Sequence, residues 1–238
     1  MAAPPDPFTV TLRDGTRALI RPIRPEDKER LAEGLRRLSP EARYARFHSV
    51  VDRLTPEQLR YLTEIDYADH MAWAAVNIDA PDEPGMGVAR YVRLPQEPEI
   101  AEAAVTVADD YQGKGLGSLL LLTLCRSAIE HGIRTLRNYV LVDNDAMLGL
   151  LDELGATRHD EGEGVYRVDM PLPDHPDELP DTAAMRVLRA TATDRLPPFR
   201  KLVHWLTPRA ERAPERPRRD LADEDLVADI ERQLWKHR

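Results

Sequence analysis

The sequence is poor in cysteine and contains no long apolar run. Its 238 residues include one cysteine, Cys125, which excludes an internal disulfide framework and a metal site built from several cysteine ligands. No uninterrupted apolar stretch approaches the ~18 residues that a membrane span requires. The N-terminal segment MAAPPDPFTV has neither the basic start nor the apolar stretch of a secretion signal. We therefore expect a cytoplasmic protein that does not act in a membrane.

Basic charge is also in deficit. The formal net charge is −9, and residues 171–238 contain 13 Lys/Arg and 13 Asp/Glu, so the acidic excess lies in residues 1–170. Binding to a nucleic-acid backbone requires a basic face, and we do not expect a nucleic-acid partner. An acidic body suits a basic partner, such as an amine or a lysine-bearing protein surface, through electrostatic steering. Solubility alone explains the same charge equally well.

The pattern of apolar residues predicts a domain of fold class α/β (α+β) over residues 8–170. Alternation around Asp14-Gly15 indicates a β-hairpin. The predicted strands are 8–12, 17–23, 70–78, 87–94, 99–107, 137–142 and 164–170. Helices are predicted after Pro25, after Ser39-Pro40, after Thr55-Pro56, from the glycine-rich segment to about residue 131, and over 144–155. Gly132 and Gly155 are the expected stops of the last two helices.

Residues 171–238 have a different composition. The segments PLPDHPDELP and PRAERAPERPRRD are rich in proline and charge, which favours an extended tail. Near the end, Leu226, Val227, Ile230 and Leu234 fall at helical spacing and favour a docking helix. A loosely ordered tail is the alternative.

The segment QGKGLGSLLL places three glycines before a leucine-rich helix, a pattern typical of phosphate binding. A P-loop requires Gly at position 108 and Ser or Thr at 115, where the chain has Ala108 and Gly115. The dinucleotide fingerprint Gly-x-Gly-x-x-Gly fails because its last glycine is Ser118. Neither nucleotide-binding motif is therefore present.

The same segment does fit Gln-x-x-Gly-x-Gly, at Gln112, Gly115 and Gly117, directly after a strand ending in Val-Thr-Val. Glycines let several N–H donors converge on an anion at a helix N-terminus. The motif resembles the pyrophosphate-binding motif of the GNAT superfamily of CoA-dependent N-acyltransferases. Asn144-Asp-Ala-Met147 resembles the family's second signature, and the order of elements over about 170 residues is similar to the GNAT order. The segments DGTRALIRPIRPED and AEAAVTVADDYQGKGLG resemble bacterial protein-lysine acetyltransferases.

The resemblance implies acetyl-CoA as co-substrate and no metal. It implies that the main chain at the end of the strand pairs with pantetheine, and that the glycine turn holds the pyrophosphate through its N–H groups. The implied cofactor-binding residues are Val105, Thr106, Val107, Gln112, Gly113, Lys114, Gly115, Leu116, Gly117 and Ser118. Asn144 is expected either to contact the cofactor or to cap the helix that follows it.

Glu102 is the candidate general base. Strand alternation places Glu102, Ala104 and Thr106 on one face, and a glutamate among alanines and valines suits a site better than a core. A lysine amine is mostly protonated at neutral pH, so acyl transfer benefits from a base. In the protein acetyltransferases that the chain resembles, a glutamate in the matching motif has this role. Glu99 is the alternative.

Two positions depart from the family pattern. Gly-Phe of the second signature is Gly155-Ala156, a change in packing. The usual tyrosine that protonates the departing thiolate is replaced by Leu151, so solvent or another group must supply that proton.

The sequence therefore predicts an acetyl-CoA-dependent N-acetyltransferase acting on a primary amine, with a protein lysine as the favoured acceptor. A small-molecule amine is the alternative acceptor. A CoA-binding sensor or scaffold is the non-enzymatic alternative, favoured by Leu151 and the long tail. The expected state is a monomer or a homodimer.

Overall fold

The computed structural model describes residues 2–40, 42, 53–83 and 85–179. Their strands form one sheet: β1 (Phe8–Thr11), β2 (Arg17–Pro22), β3 (His70–Asn77), β4 (Gly87–Arg93), β5 (Ile100–Val107), β6 (Thr135–Leu141), β7 (Thr157–Asp160) and β8 (Val165–Pro171). The helices are α1 (Lys28–Arg37), α2 (Pro56–Thr63), α3 (Leu116–Glu130) and α4 (Asp145–Glu153). This mixed, mostly antiparallel sheet with flanking helices confirms the predicted fold class.

The strand order is β1-β2-β3-β4-β5-β6-β8-β7, and the neighbours are antiparallel except for β5 and β6. The parallel ladder between β5 and β6 pairs only Ile100–Glu102 with Thr135–Arg137. On its other side, β5 pairs with β4 along almost its whole length. Within the described residues, the backbone edge of β5 that faces β6 therefore has no strand partner over residues 103–107. The two strands diverge there and leave an opening in the sheet.

Helix α3 covers one face of the sheet. Nine of its 15 residues are buried, and they pack on the small and aromatic side chains of β3, β4 and β5. Gly87 permits this close approach, because a Cβ at that position would lie 2.8 Å from the Thr106 carbonyl oxygen and 3.1 Å from Leu120 Cδ1. Gly132 (φ 74°) ends the helix and Gly155 (φ 79°) follows α4, as the sequence predicts.

Helices α1 and α2 lie on the other face. Leu35, Leu38 and Leu62 form a second apolar cluster that Ala104 of β5 joins. Helix α2 begins with the predicted capping box, in which the Thr55 hydroxyl accepts from the Gln58 N–H at 3.2 Å and the Gln58 side chain accepts from the Thr55 N–H at 2.8 Å.

The predicted strands agree with the structure to within about two residues, except that β7 was not predicted. Its four residues, TRHD, are all exposed and carry no apolar alternation, because β7 is the edge of the sheet. Most of the helix predicted after Ser39-Pro40, and the whole predicted terminal helix, lie outside the described residues.

The described chain continues past the proposed boundary at residue 170. Leu172 and Leu179 are each 8% exposed and belong to the main core. The domain limits 8–170 and 171–238 stay a prediction, and these contacts show that packing on the core extends at least to Leu179. In the part of the chain that the structure describes, no helix is long and apolar enough to span a bilayer.

Candidate active site

The glycine turn brings free N–H groups to the N-terminus of α3. Gly115 is the N-cap and has φ 86°, a left-handed conformation that favours glycine. The first helical bond runs from the Leu119 N–H to the Gly115 carbonyl at 3.1 Å, so the N–H groups of residues 116–118 precede the helical ladder. No side chain among the residues that the structure describes caps this end. The turn therefore offers donors and a positive helix end to an anion.

The side chain of Gln112 holds the turn in place. Its Nε2 donates to the Val107 carbonyl and to Asp109 Oδ1, both at 3.2 Å. Asp109 in turn accepts from the N–H of Ser39 at 2.9 Å and from its hydroxyl at 3.1 Å. The motif glutamine thus links the end of β5 to the glycine turn, and Asp109 links the turn to the chain after α1.

Lys114 contacts the β1–β2 hairpin. Its Nζ lies 2.8 Å from Asp14 Oδ2 and 5.1 Å from the centre of the Tyr111 ring. The hydrogen bond from Lys114, together with the Thr16 N–H, lowers the pKa of Asp14 to about 2. The charge of Lys114 is therefore partly balanced by a carboxylate before any ligand binds.

Glu102 is buried at the point where β5 and β6 begin to diverge. The residue is 4% exposed, and its ladder neighbours are Val92 on β4 and Arg137 on β6. Arg137 Nε donates to Asp169 at 2.9 Å, and its Nη1 donates to Glu97 at 3.1 Å. The candidate base therefore lies beside a guanidinium that is already paired with two other carboxylates.

Sequence reasoning missed two polar groups on the same face as Glu102. Arg90, directly opposite Ala104, is 3% exposed; it donates to the Leu62 carbonyl at 2.7 Å and contacts the His70 ring nitrogen. Tyr139 lies two residues after Arg137 on β6, and burial, reinforced by the negative charge of Glu102, raises its pKa. The alternation in GVARYVRL was the available signal for Arg90, because it places an arginine on a face otherwise lined by valines.

A pocket of about 100 Å³ lies between α1 and the Glu102 face of the sheet. Small side chains on the strands create the space, and an ion pair between Arg21 and Asp27 lies at its wall, with Nη2 and Oδ1 2.6 Å apart. The apolar and small lining residues include Leu31, Leu35, Leu62, Val88, Ala104 and Thr106. The pocket reaches β5 two residues beyond Glu102, on the face that carries the candidate base.

Three other predicted positions have clear structural roles. The Asn144 side chain accepts from the Met147 N–H at 3.2 Å and caps α4, which is one of its two expected roles. Leu116 and Leu151 are fully buried in the core. Leu116 can therefore meet a ligand only through its main chain, and Leu151 contributes to packing at the position where the resemblance led us to expect a tyrosine.

Comparison with known proteins gives one consistent result. The model of the Acetyltransferase (GNAT) family matches residues 37–156. Acetyltransferase Pat of Mycolicibacterium smegmatis is 40% identical over 195 residues, which cover 78% of this chain. Acetyltransferase PA5475 of Pseudomonas aeruginosa is 37% identical over 150 residues, which cover 63% of this chain and 80% of that protein.

A solved structure gives the same fold. The crystal structure of the GNAT domain of S. lividans PAT has 31% sequence identity and a TM-score of 0.63; the match covers 70% of this chain and 97% of that chain. By contrast, the match to the M. smegmatis acetyltransferase covers 57% of that protein, so this chain spans little more than half of its length.

Proposed function

Because the chain belongs to the GNAT family of acetyltransferases, we propose that it transfers an acetyl group from acetyl-CoA to a primary amine, with a protein lysine as the favoured acceptor. One observation carries the proposal. Strand β5 supplies a buried carboxylate, Glu102, where β5 and β6 diverge, and the same strand leads into the uncapped glycine turn. A base and an anion site on one continuous segment suit an acyl transfer from a phosphate-bearing thioester.

The glycine turn is the proposed pyrophosphate site. The N–H groups of Gly113 to Ser118 are the donors, and Gln112 supports them from within the protein. The unpartnered edge of β5 over Val105, Thr106 and Val107 is the proposed partner of the pantetheine arm, whose amides can extend the sheet as an added strand. Asn144 acts by capping α4.

Glu102 is the proposed general base. Its carboxylate takes a proton from the incoming ammonium, directly or through one water, and the neutral amine then attacks the thioester carbonyl carbon. The carbon–sulfur bond breaks, the thiolate leaves, and the new amide nitrogen loses its second proton to the thiolate or to solvent. A thiol of ordinary pKa near 8.5 can depart partly as thiolate, so a buried leucine at position 151 does not prevent turnover.

Two features support a protein lysine as acceptor. The first is the resemblance to protein-lysine acetyltransferases over the hairpin and the β5 turn. The second is the acidic excess over residues 1–170, which attracts a lysine-bearing surface. In addition, the pocket between α1 and the sheet has a mostly apolar lining that suits an apolar stem such as that of a lysine.

Intact-mass spectrometry tests the proposal. The protein is incubated with acetyl-CoA and, in parallel, with a lysine-containing protein or peptide, the same peptide with its lysines dimethylated, and a set of small amines. A mass increase of one acetyl group on the unmodified peptide alone supports lysine transfer. Transfer to a small amine alone overturns the lysine assignment and keeps the acetyltransferase reaction.

A CoA-binding sensor is the second candidate, favoured by the buried Leu151 in place of the family's tyrosine. A sensor binds acetyl-CoA and acetylates none of these acceptors at any pH between 6 and 10. Calorimetric binding and the mass assay, carried out on the same preparation, separate the two functions.

A further inference from the structure

The β1–β2 hairpin ends in a rigid three-residue loop. The Leu12 N–H donates to the Thr16 carbonyl at 2.8 Å, and the Gly15 N–H donates to the Leu12 carbonyl at 3.0 Å. Asp14 Oδ1 accepts from the Thr16 N–H at 3.0 Å, and Gly15 has φ 88°. A loop with this bonding is a standard hairpin connection that fixes its backbone without outside help. The backbone position from which the Arg13 side chain extends is therefore fixed.

This loop lies against the glycine turn through two separate contacts. Asp14 pairs with Lys114 at 2.8 Å. The Nε of Arg13 lies 3.6 Å from the position that a Cβ would take on Gly115, the N-cap of α3. The hairpin thus brings a guanidinium to the end of the helix where the N–H donors converge, more than 100 residues away in the sequence.

The two cations at this site differ in what balances them. Lys114 is paired with Asp14, whereas Arg13 is exposed and forms no ion pair with any side chain of the described residues. An arginine fork suits phosphate oxygens because it offers parallel N–H donors. We propose that Arg13 binds the pyrophosphate of CoA from the hairpin side, opposite the N–H groups of the turn. Asp14 keeps Lys114 against the hairpin and so holds the two segments together.

This inference rests on the proposed function and adds a cofactor-binding residue that lies outside the family's motif. An arginine that makes charge-assisted hydrogen bonds to a phosphate is expected to contribute about tenfold in affinity. Arg13→Ala should therefore raise the Kd for CoA by about tenfold, and Arg13→Lys should raise it less, because the charge stays and the fork is lost.

Titration calorimetry of the full chain with CoA, dephospho-CoA and 4′-phosphopantetheine tests the assignment. If Arg13 contacts the pyrophosphate, Arg13→Ala lowers the affinity for CoA and for dephospho-CoA by the same factor. The affinity for phosphopantetheine falls less. Equal affinity of parent and variant for CoA overturns the proposal. A loss for CoA but not for dephospho-CoA also overturns it, because the contact would then be with the 3′-phosphate.

Arg17→Ala is the matched control. Arg17 is an exposed arginine on the same hairpin, and its guanidinium pairs with Asp79 rather than with a residue of the glycine turn. The Arg17→Ala substitution removes the same charge as Arg13→Ala. A similar loss of CoA affinity in this variant would therefore show a general electrostatic attraction and overturn a specific role for Arg13. The parent protein separates this inference from the proposed function: a parent that does not bind CoA overturns both, and an unaffected Arg13→Ala overturns only the hairpin contact.

Discussion

Replacement of Glu102 by glutamine removes a base and changes little else. Glutamine has nearly the same size, and an amide is easier to bury than a carboxylate, so the 4% exposed position should tolerate it without unfolding. The affinity for CoA should stay within about twofold, because none of the proposed phosphate and pantetheine contacts involves the Glu102 side chain. The acylation rate near neutral pH should fall by ~10²–10⁴, the usual contribution of a positioned base.

The pKa of the acceptor lysine narrows the expected fall in acylation rate. With a pKa near 10.4, about 1 in 2,500 of the acceptor amines is neutral at pH 7. A variant that relies on this fraction alone should be slower by about 10³, or about 4 kcal/mol in the activation barrier. The deficit should shrink about tenfold for each pH unit above 7, because more of the acceptor is already deprotonated.

The assay is the release of CoA thiol at saturating acetyl-CoA, measured from pH 6.5 to 10 alongside calorimetric binding. Glu99→Gln is the matched substitution on an exposed residue just before β5 and should change the rate by less than about twofold. Full activity of Glu102→Gln at neutral pH would refute the assignment, and so would a loss that is equal at every pH. A loss in Glu99→Gln instead would move the role to that residue.

Three further predictions concern the cofactor turn, the domain limit and a buried ion pair. Gly117→Glu should fold, since a Cβ there makes only an ordinary 3.6 Å contact, but its carboxylate should weaken CoA binding at least tenfold by calorimetry. A chain ending at Leu179 should have the same free energy of unfolding in urea as the full chain. In a chain ending at Pro171, that free energy should be lower by about 3–5 kcal/mol, because two core leucines are removed. Burial raises the pKa of Asp27, but the hydrogen bonds from Arg21 and the backbone outweigh it and hold the pKa below its usual value. Asp27→Asn should therefore lower the free energy of unfolding by about 3 kcal/mol at pH 7. This difference should disappear as the pH falls through the lowered pKa of the native carboxyl.

Each of these expectations has a contrary result. Undiminished CoA affinity in a folded Gly117→Glu protein would place the pyrophosphate elsewhere. Equal unfolding free energies for the two truncated chains would show that residues 172–179 add nothing to stability. A cost of Asp27→Asn that is the same at pH 7 and pH 3 would show that the ion pair with Arg21 does not stabilise the fold.

The features that the sequence predicts well are those governed by local chemistry. Asp14-Gly15 closes the hairpin, and Gly132 and Gly155 follow α3 and α4, because each position needs a positive φ that glycine adopts without strain. The glycine turn is equally local, since its residues and the helix that it starts are adjacent in the chain. For the same reason, the face that Glu102 shares with Ala104 and Thr106 follows from strand alternation alone.

The features that the sequence does not predict depend on contacts between distant segments of the chain. The sequence places Glu102 at a site but does not predict its 4% exposure, which depends on its position between β4 and β6 in the folded sheet. The contact of Asp14 with Lys114 joins the first hairpin to the glycine turn, and nothing in either segment indicates the other. Strand β7 has no apolar pattern, because an edge strand exposed on both faces needs none.

If the proposed function is correct, the divergence of β5 and β6 should also affect how long the protein persists in a cell. Exposed strand edges are templates for pairing with other chains, and they commonly cause self-association. In the proposed function, the pantetheine arm pairs with the edge of β5 that faces β6, so each bound acyl-CoA acts as a removable strand. A ligand that binds only the native state adds stability with its concentration, about 2.7 kcal/mol at 100 times the Kd. The supply of acyl-CoA would then set the lifetime of the protein as well as its rate, and starvation for that metabolite should favour its aggregation or degradation.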